Sequence, residues 1–556
     1  RAPEGSIKCV LKRYNDKLLA KVDKDKTSGE LKAYPLDDRI TSIIDVESEK
    51  NNIDYQPNKE VIYEIQINKF PIAQYNAIGS IVRELPLNAG VDGDIEILLS
   101  KNNIFKHEEA PKVSPKKITL KGREDLTNQS SLLFKSWESS NAPSLPALYS
   151  QPHDGGFKIW LHSPAVSERI NMGSKLDEYL KIKGEVICLG NSWLDYLSKT
   201  LTSSSQFKIN EECEAISLMI DINSQGEITD WKFSLSIIKP VNIITENHLR
   251  SINKRKSKSK SIPIALKHVK DNLEVVYNII HTSKLINESY LNSIKLDQHI
   301  PNLQRLAELQ KVFPSRDFHG WIKSFDCNDP QSILDSFIRL SNNILARHLV
   351  GFKLPFIYKQ YDEIEPSSLN ELTKSTLAID NKISVNIDGT MKTNELINSL
   401  EISPEKKILH KLFKHVIPGI HLKLYKQNIK SEQDLLDDQF STKNIESPWC
   451  CPSLNYWNIF NQFMITTLLN NGKNKSSSRS KDLVELGKKD SWNNIKWEVF
   501  TSKLKNNIDE ISTLKLVQHL NEIRKQTKSF RNNIISIAQC REAQKVISKE
   551  VNAVIT

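Results

Sequence analysis

The spacing of apolar residues along this chain shifts from every second position near the start to every third and fourth position toward the end. The run Glu60-Val-Ile-Tyr-Glu-Ile-Gln-Ile-Asn68 alternates over part of its length, and Asn88-Ala-Gly-Val-Asp-Gly-Asp94 is turn chemistry. From Arg1 to about His107 the pattern therefore predicts short strands in a small β-barrel. Further on, Ile216, Leu218, Ile220 and Ile222 share one face of a strand pattern. After the turn Asn223-Ser-Gln-Gly226, residues Trp231, Phe233, Leu235 and Ile237 do the same, which predicts a hairpin. Apolar residues three and four apart predict helices over Ser332 to Val350 and Lys406 to Ile417, and a long, mostly helical stretch over Ile511 to Ile547. The sum is an α+β chain, a β-barrel followed by a mixed domain and a helical C-terminal region.

Length and composition narrow this picture. At 556 residues the chain exceeds one ordinary core, so two to four domains are expected. Glu108-Glu-Ala-Pro-Lys-Val-Ser-Pro-Lys-Lys117 is polar with two prolines and reads as part of a linker spanning 108–121. The 38% hydrophobic and 26% charged fractions are those of a globular protein, and no apolar run approaches the eighteen residues of a bilayer span. Arg1-Ala-Pro-Glu-Gly5 holds neither an initiator Met nor a signal pattern, so a fragment or processed piece with a cytoplasmic location is expected. We find no internal repeat.

Seven cysteines, odd in number and without a C-x-x-C pair, argue against a disulfide framework and a zinc ribbon. The vicinal Cys450-Cys451 reads either as a redox pair or as two small buried thiols. Lys and Arg number 77 against 67 acidic residues, and this net charge of +10 favours a polyanionic partner. Two Lys/Ser-rich stretches, 254–260 and 473–481, read as loops that either touch phosphate or are simply solvated.

Several phrases carry a sharper signal: Gly122-Arg-Glu-Asp-Leu-Thr127, Phe157-Lys-Ile-Trp-Leu-His-Ser-Pro-Ala-Val-Ser167 and Gly173-Ser-Lys-Leu-Asp-Glu178. Together these resemble the RNB family, exoribonucleases typified by ribonuclease II and ribonuclease R. The family pattern is roughly R-x-D-L, then D-x-x-x-x-x-[ED]-x-D-D-A, then H-I-A-D-[VP]-S and G-S-x-L-D. Arg1-Ala-Pro-Glu-Gly5, Leu36-Asp-Asp-Arg-Ile40 and Gly79-Ser-Ile-Val-Arg-Glu-Leu85 look like the cold-shock, OB-type barrel that precedes the RNB domain. The resemblance implies a cold-shock/OB-type barrel over 1–107, lacking its N-terminal part, and an RNB domain with a helical C-terminal part over 122–548. Val551-Asn-Ala-Val-Ile-Thr556 resembles the first strand of a further OB domain, placed at 549–556.

The resemblance also implies a chemistry: hydrolysis of RNA from its 3′ end by two magnesium ions held on clustered carboxylates. Aligning through the flanking motifs puts Glu138, Ser144, Pro146 and Ala147 at the four acidic positions, so one carboxylate of four remains, with Lys135 nearby. The segment S-P-I-R-R-Y-x-D, whose arginine grips the scissile phosphate in the family, is matched by Cys451-Pro-Ser-Leu-Asn-Tyr-Trp-Asn458. Leu454 and Asn455 stand for the arginines and Asn458 for the aspartate. Leu offers none of the bidentate phosphate contact of Arg. Ala165 likewise replaces an aspartate. Magnesium binding is expected to fail, Glu138 being the one residual candidate ligand.

Other residues admit two readings each. Tyr456 and Trp457 either stack on bases or fill core, and His162 either faces RNA or is a satisfied core histidine. Asp434, Asp437 and Asp438 are a substitute metal cluster or an acidic helix face, while His410, His415 and His421 lack ligand spacing. No Walker-type or G-x-S-x-G motif is present. The leading expectation is a single-stranded RNA-binding protein with family hydrolysis impaired or lost. The alternatives are a magnesium-dependent 3′-to-5′ exoribonuclease with rearranged ligands, such as Glu138 with Asp154, and a scaffold in an RNA-processing complex.

Overall fold

A computed structural model describes residues 16–47, 60–102, 110–139, 141–189, 192–255, 261–291, 325–361, 365–380, 420–426, 445–477 and 483–550, with a few isolated positions. It forms two compact units. One comprises principally 1–109 and 527–551, the other 110–307 and 316–526.

In the first unit, β1 (Lys17–Lys24), β2 (Leu31–Pro35), β3 (Ile44–Val46), β4 (Val61–Lys69) and β5 (Ala77–Pro86) close into a barrel in the order β1-β2-β3-β5-β4. Period-two burial drives closure: Ala20, Ala33, Ile44, Tyr63, Ile65 and Ala77 fill the interior. Gly79 is required there, since a Cβ would sit 2.7 Å from the Ile65 side chain and 2.9 Å from the Gln66 carbonyl. The barrel expected from the alternation is thus present. The turn expected over 88–94 is corrected, because helix α1 (Gly90–Lys101) begins inside it. Ile95, Leu98 and Leu99, at helical spacing and buried, outweigh the glycines.

The second unit is built on a seven-stranded sheet. Its strands are β6 (Glu124–Leu126), β7 (Leu132–Phe134), β8 (Ala147–His153), β9 (Gly156–Pro164), β10 (Cys213–Ile222), β11 (Ile228–Ile238) and β12 (Asn242–Ile244), in the order β12-β7-β8-β9-β10-β11-β6. The pairs from β7 through β11 are antiparallel, and the two outermost pairings are parallel. One face carries the main core, with Leu148, Leu161, Ile216, Leu218, Ile220, Trp231 and Phe233. Against the other face lies a smaller cluster of Leu126, Ala147, Phe207, Ala215 and Ile238. This second cover explains one departure in the hairpin: Leu235 and Ile237 are only half-buried, while Ser236 and Ile238 are buried.

Helices α2 (Lys175–Lys183), α3 (Leu273–Leu291), α4 (Pro330–Gly351), α5 (Tyr456–Asn471), α6 (Ser502–Ile511) and α7 (Leu514–Gln544) follow. The Asp329 side chain caps α4, accepting from the Gln331 amide at 3.0 Å, and Pro330 occupies its first turn. The long, mostly helical stretch expected over 511–547 is present as α7, which Ser512 and Thr513 separate from the end of α6. Most of 406–417, and all of 551–556, lie outside the described residues. Among the described residues no helix is long and apolar enough to cross a membrane.

Candidate functional site

Three segments far apart in sequence meet beside α2 and the start of α5. The Ser453 hydroxyl donates to the Ser144 carbonyl, 309 residues away. The Ser163 hydroxyl donates to the Cys450 carbonyl at 2.9 Å, and the Tyr456 hydroxyl donates to the Asp177 carboxylate at 2.7 Å. Backbone bonds fix the same junction: the Val186 amide reaches the Leu454 carbonyl at 2.8 Å and the Tyr456 amide the Gly184 carbonyl at 2.7 Å.

Local sequence explains each piece. In Gly173-Ser-Lys-Leu-Asp177, Ser174 is the N-cap of α2, its oxygen accepting from the Asp177 amide at 3.3 Å, while the Asp177 carboxylate reaches back to accept from the Gly173 amide at 2.8 Å. That reciprocal arrangement is a capping box displaced by one residue, and Gly173 supplies the positive φ of the turn before it. Asn455 caps α5 in the same way, accepting from the Asn458 amide at 3.1 Å. Asn458 in turn donates its side-chain amide to Asn455 at 2.6 Å and accepts from the Cys451 amide at 3.1 Å.

The positions singled out by sequence take these places. Glu138 is exposed and ion-paired with Lys135 at 2.6 Å. Ser144 and Leu454 are half-buried, Leu454 packing against the main core. Pro146 is buried, and Ala147 is 0% exposed in the apolar cluster with Phe207 and Leu126, opposite His162 in the β8–β9 ladder. Asp154 pairs with His153 at 3.2 Å beyond the far end of β8. Seven residues of chain along β8 separate it from Ala147, about 23 Å.

His162 is fully buried, its Nδ1 bonded to the Ser217 hydroxyl at 2.6 Å and its Nε2 without a partner. Desolvation pushes its pKa down to about 3, so the ring is neutral. Tyr456 is buried, and burial together with Asp177 holds its hydroxyl protonated as a donor. Trp457 is buried as well, with the Arg524 guanidinium 5.6 Å from its ring centre. Of the two readings open for His162, Tyr456 and Trp457, burial of all three side chains supports the core one. Cys450 and Cys451 are buried thiols with sulfurs 3.9 Å apart, and burial raises the Cys451 pKa well above its ordinary value.

Sequence reasoning missed Gln462. Its carbonyl oxygen accepts from the Ser167 amide at 2.9 Å, and its amide donates to Ser163 at 2.9 Å and to the Pro164 carbonyl at 3.0 Å. The available signal was a pair of adjacent amides, Asn461-Gln462, set between the apolar runs Ile459-Phe460 and Phe463-Met-Ile465 of the helix. Asp434, Asp437, Asp438, His410 and His415 lie outside the described residues, and His421 sits on the strand Ile420–Tyr425. Among the described residues no group of three or more His, Cys, Asp or Glu stands close enough to hold a metal ion. Magnesium demands near-octahedral oxygen ligation. One ion-paired carboxylate beside Ser144, Pro146 and Ala147 does not fit a magnesium pair.

Comparison with known proteins places this geometry. The RNB domain profile matches residues 123–471. The acetazolamide conferring resistance protein zam of Synechocystis is 21% identical over 524 residues, covering 92% of this chain and 64% of that protein. Ribonuclease R of Thermotoga maritima is 20% identical over 387 residues, 66% of this chain and 51% of that protein. The chain thus spans less than two thirds of the length of the curated relatives it matches. Among solved structures, Mycoplasma genitalium RNase R in complex with ribose methylated single-stranded RNA superposes with a TM-score of 0.69 at 14% identity, covering 95% of this chain and 77% of that one. Yeast Ssd1, described as a pseudonuclease, gives 0.60 at 14% identity, covering 96% and 61%.

Proposed function

Because this chain belongs to the RNB family, we propose that it binds single-stranded RNA and does not hydrolyse it. One observation carries the reading. The family's motif segments meet through Ser144–Ser453, Ser163–Cys450 and Asp177–Tyr456, while the four acidic positions and the phosphate-gripping position hold Glu138, Ser144, Pro146, Ala147 and Leu454. Hydrolysis of this kind needs metal-activated water and a clamped phosphate. These side chains supply neither.

The RNA-binding half of the reading is supported by the barrel. Tyr34 and Tyr75 are 41% and 71% exposed on it, and exposed aromatics on OB-type faces stack bases with little sequence preference. A similar fold in complex with single-stranded RNA, and another described as a pseudonuclease, agree with it.

The test incubates purified chain with a 3′-overhang RNA and magnesium, following strand length and nucleoside monophosphate release. No shortening is expected, with binding whose affinity falls as salt rises, because displaced counterions are released. Processive shortening abolished by Glu138→Ala would establish the exoribonuclease with rearranged ligands instead. Absence of both shortening and binding would favour the scaffold.

A further inference from the structure

A cavity of about 480 Å³ opens in the second unit where segment 116–123 passes the turn after β9 and the last turns of α5. None of Glu138, Ser144, Pro146, Ala147 or Leu454 lines it. Its floor begins at Phe463, seven residues or about two helical turns along α5 from Tyr456.

The lining holds four cations, Lys116, Lys117, Lys121 and Arg123, against one carboxylate, Glu168, a net of +3. Arg123 and Glu168 satisfy each other. The Arg123 guanidinium donates to the Glu168 carboxylate, to the carbonyls of Ala215 and Ser236 at 3.1 Å each, and to that of Thr119 at 3.2 Å. Asn470 donates to the second Glu168 oxygen at 3.2 Å. The acid is thus neutralised in place, and the excess positive charge rests on three exposed lysines that join no ion pair among the described residues. Beneath them, the half-buried Met172, Leu235 and Leu469 make an apolar floor over the buried Phe463, edged by Thr467. Unlike the Thr466 hydroxyl, which donates to the Gln462 carbonyl at 2.8 Å, the Thr467 hydroxyl forms no hydrogen bond among the described residues.

We propose that this cavity binds a small phosphorylated ligand of the nucleoside monophosphate class. Its phosphate meets Lys116, Lys117 and Lys121, its ring lies on the half-buried Met172, Leu235 and Leu469, and its polar edge faces Asn470. Ammonium groups are compact point charges suited to phosphate, and the volume falls within the range of small-ligand sites. A half-open cavity of this volume with an apolar floor suits one nucleotide better than a strand. The inference holds whether or not the chain cleaves RNA.

Equilibrium dialysis of the full chain against labelled adenosine 5′-monophosphate tests it, with adenosine, inorganic phosphate and single-stranded RNA as competitors. Saturable binding is expected, with adenosine and inorganic phosphate each weaker by about tenfold or more, since each keeps half of the contacts. The triple variant K116Q/K117Q/K121Q should lose about tenfold in affinity for the nucleotide while its RNA affinity moves less than about twofold. Its unfolding midpoint should match the parent, because all three side chains are exposed. No saturation at millimolar nucleotide, equal binding by the triple variant, or phosphate binding as tightly as nucleotide would overturn the proposal. So would RNA displacing the nucleotide together with an equal loss of RNA affinity in the triple variant, which would make the lysines part of an RNA path.

Discussion

Placing a carboxylate at Ala147 by the substitution Ala147→Asp, a position that the motif resemblance sets against the last of the family's acidic positions, tests whether this site has room for the family's metal chemistry. Ala147 is 0% exposed, among Leu126, Phe207, Ala215 and Ile238 and opposite a neutral His162. An aspartate there is cut off from water, which raises a carboxyl pKa by roughly 3–5 units above its unfolded value of about 3.9. With the folded pKa raised, the folded state binds more protons than the unfolded state between the two pKa values, so stability falls as pH rises through that window. The charge-linked penalty is absent below about pH 4 and grows by about 1.4 kcal/mol per pH unit, to about 1.5 kcal/mol at pH 5 and about 4 kcal/mol at pH 7. Urea unfolding followed by tryptophan fluorescence, with wild type measured at each pH, should show the loss relative to wild type growing by roughly 2.7 kcal/mol from pH 5 to pH 7. Ala147→Asn controls for size and polarity: it should cost about 1–3 kcal/mol equally at both pH values. An aspartate variant as stable as wild type at pH 7, or one stabilised by magnesium, would refute this account of the site.

Three further outcomes follow from the geometry. Tyr456→Phe removes the donor to buried Asp177, which keeps its bond from the Gly173 amide and its contact with Lys181. The loss should be about 1–3 kcal/mol in urea unfolding, and an unchanged midpoint would show that the bond contributes nothing. His162 and His348 both have pKa values lowered to about 3 by burial, below the unfolded 6.5, so each contributes stability present above pH 6.5 and lost progressively as pH falls toward 3. His348 is held neutral between the Trp231 indole N–H at 3.2 Å and the Leu486 carbonyl at 3.0 Å. Together the two histidines should cost roughly 2–3 kcal/mol between pH 7 and pH 5.5, and His162→Gln should flatten that dependence by about half; an unaltered slope would contradict it. Tyr34→Ala and Tyr75→Ala, both on the exposed barrel surface, should each weaken single-stranded RNA binding by about 1–3 kcal/mol in fluorescence anisotropy, the worth of one stacked base. Unchanged affinity in both would remove the barrel from the RNA surface.

Sequence patterning reached the elements whose burial is local and periodic. The β10–β11 hairpin over Ile216–Ile222 and Trp231–Phe233, and α4, follow from their spacing, because their apolar positions meet the main core. It failed where cover comes from distant chain. The second face of the sheet is closed by Phe207 and Leu126, so β11 changes its buried side after Phe233 without any change in sequence period. Trp457 looked equally suited to stacking and to packing, and the guanidinium beside it comes from Arg524, 67 residues further on. Helix α1 was hidden by Gly90 and Gly93, which signal a turn when Ile95, Leu98 and Leu99 are not known to be buried together. For the site, the motifs located the converging segments, but which side chains are sealed from solvent depended on tertiary contacts.

The residues this chain shares with the family pattern each hold architecture. Ser174 and Asp177 cap a helix, Tyr456 ties that helix to α5 through Asp177, and Arg123 joins β10, β11 and Glu168. The residues that differ from it have been absorbed into packing: Asn455 and Asn458 bond each other at the start of α5, and Ala147 fills an apolar cluster. A position that carries a helix cap or a core contact cannot be changed without exposing a buried polar group or burying a charge, at about 1–3 kcal/mol or more each. The same logic applies to the family's residue types at these places: aspartates at 147 and 458 and arginine at 454 would each disturb a contact now in use, so accommodating them would require concerted repacking of Phe207, His162 and the Asn455–Asn458 pair.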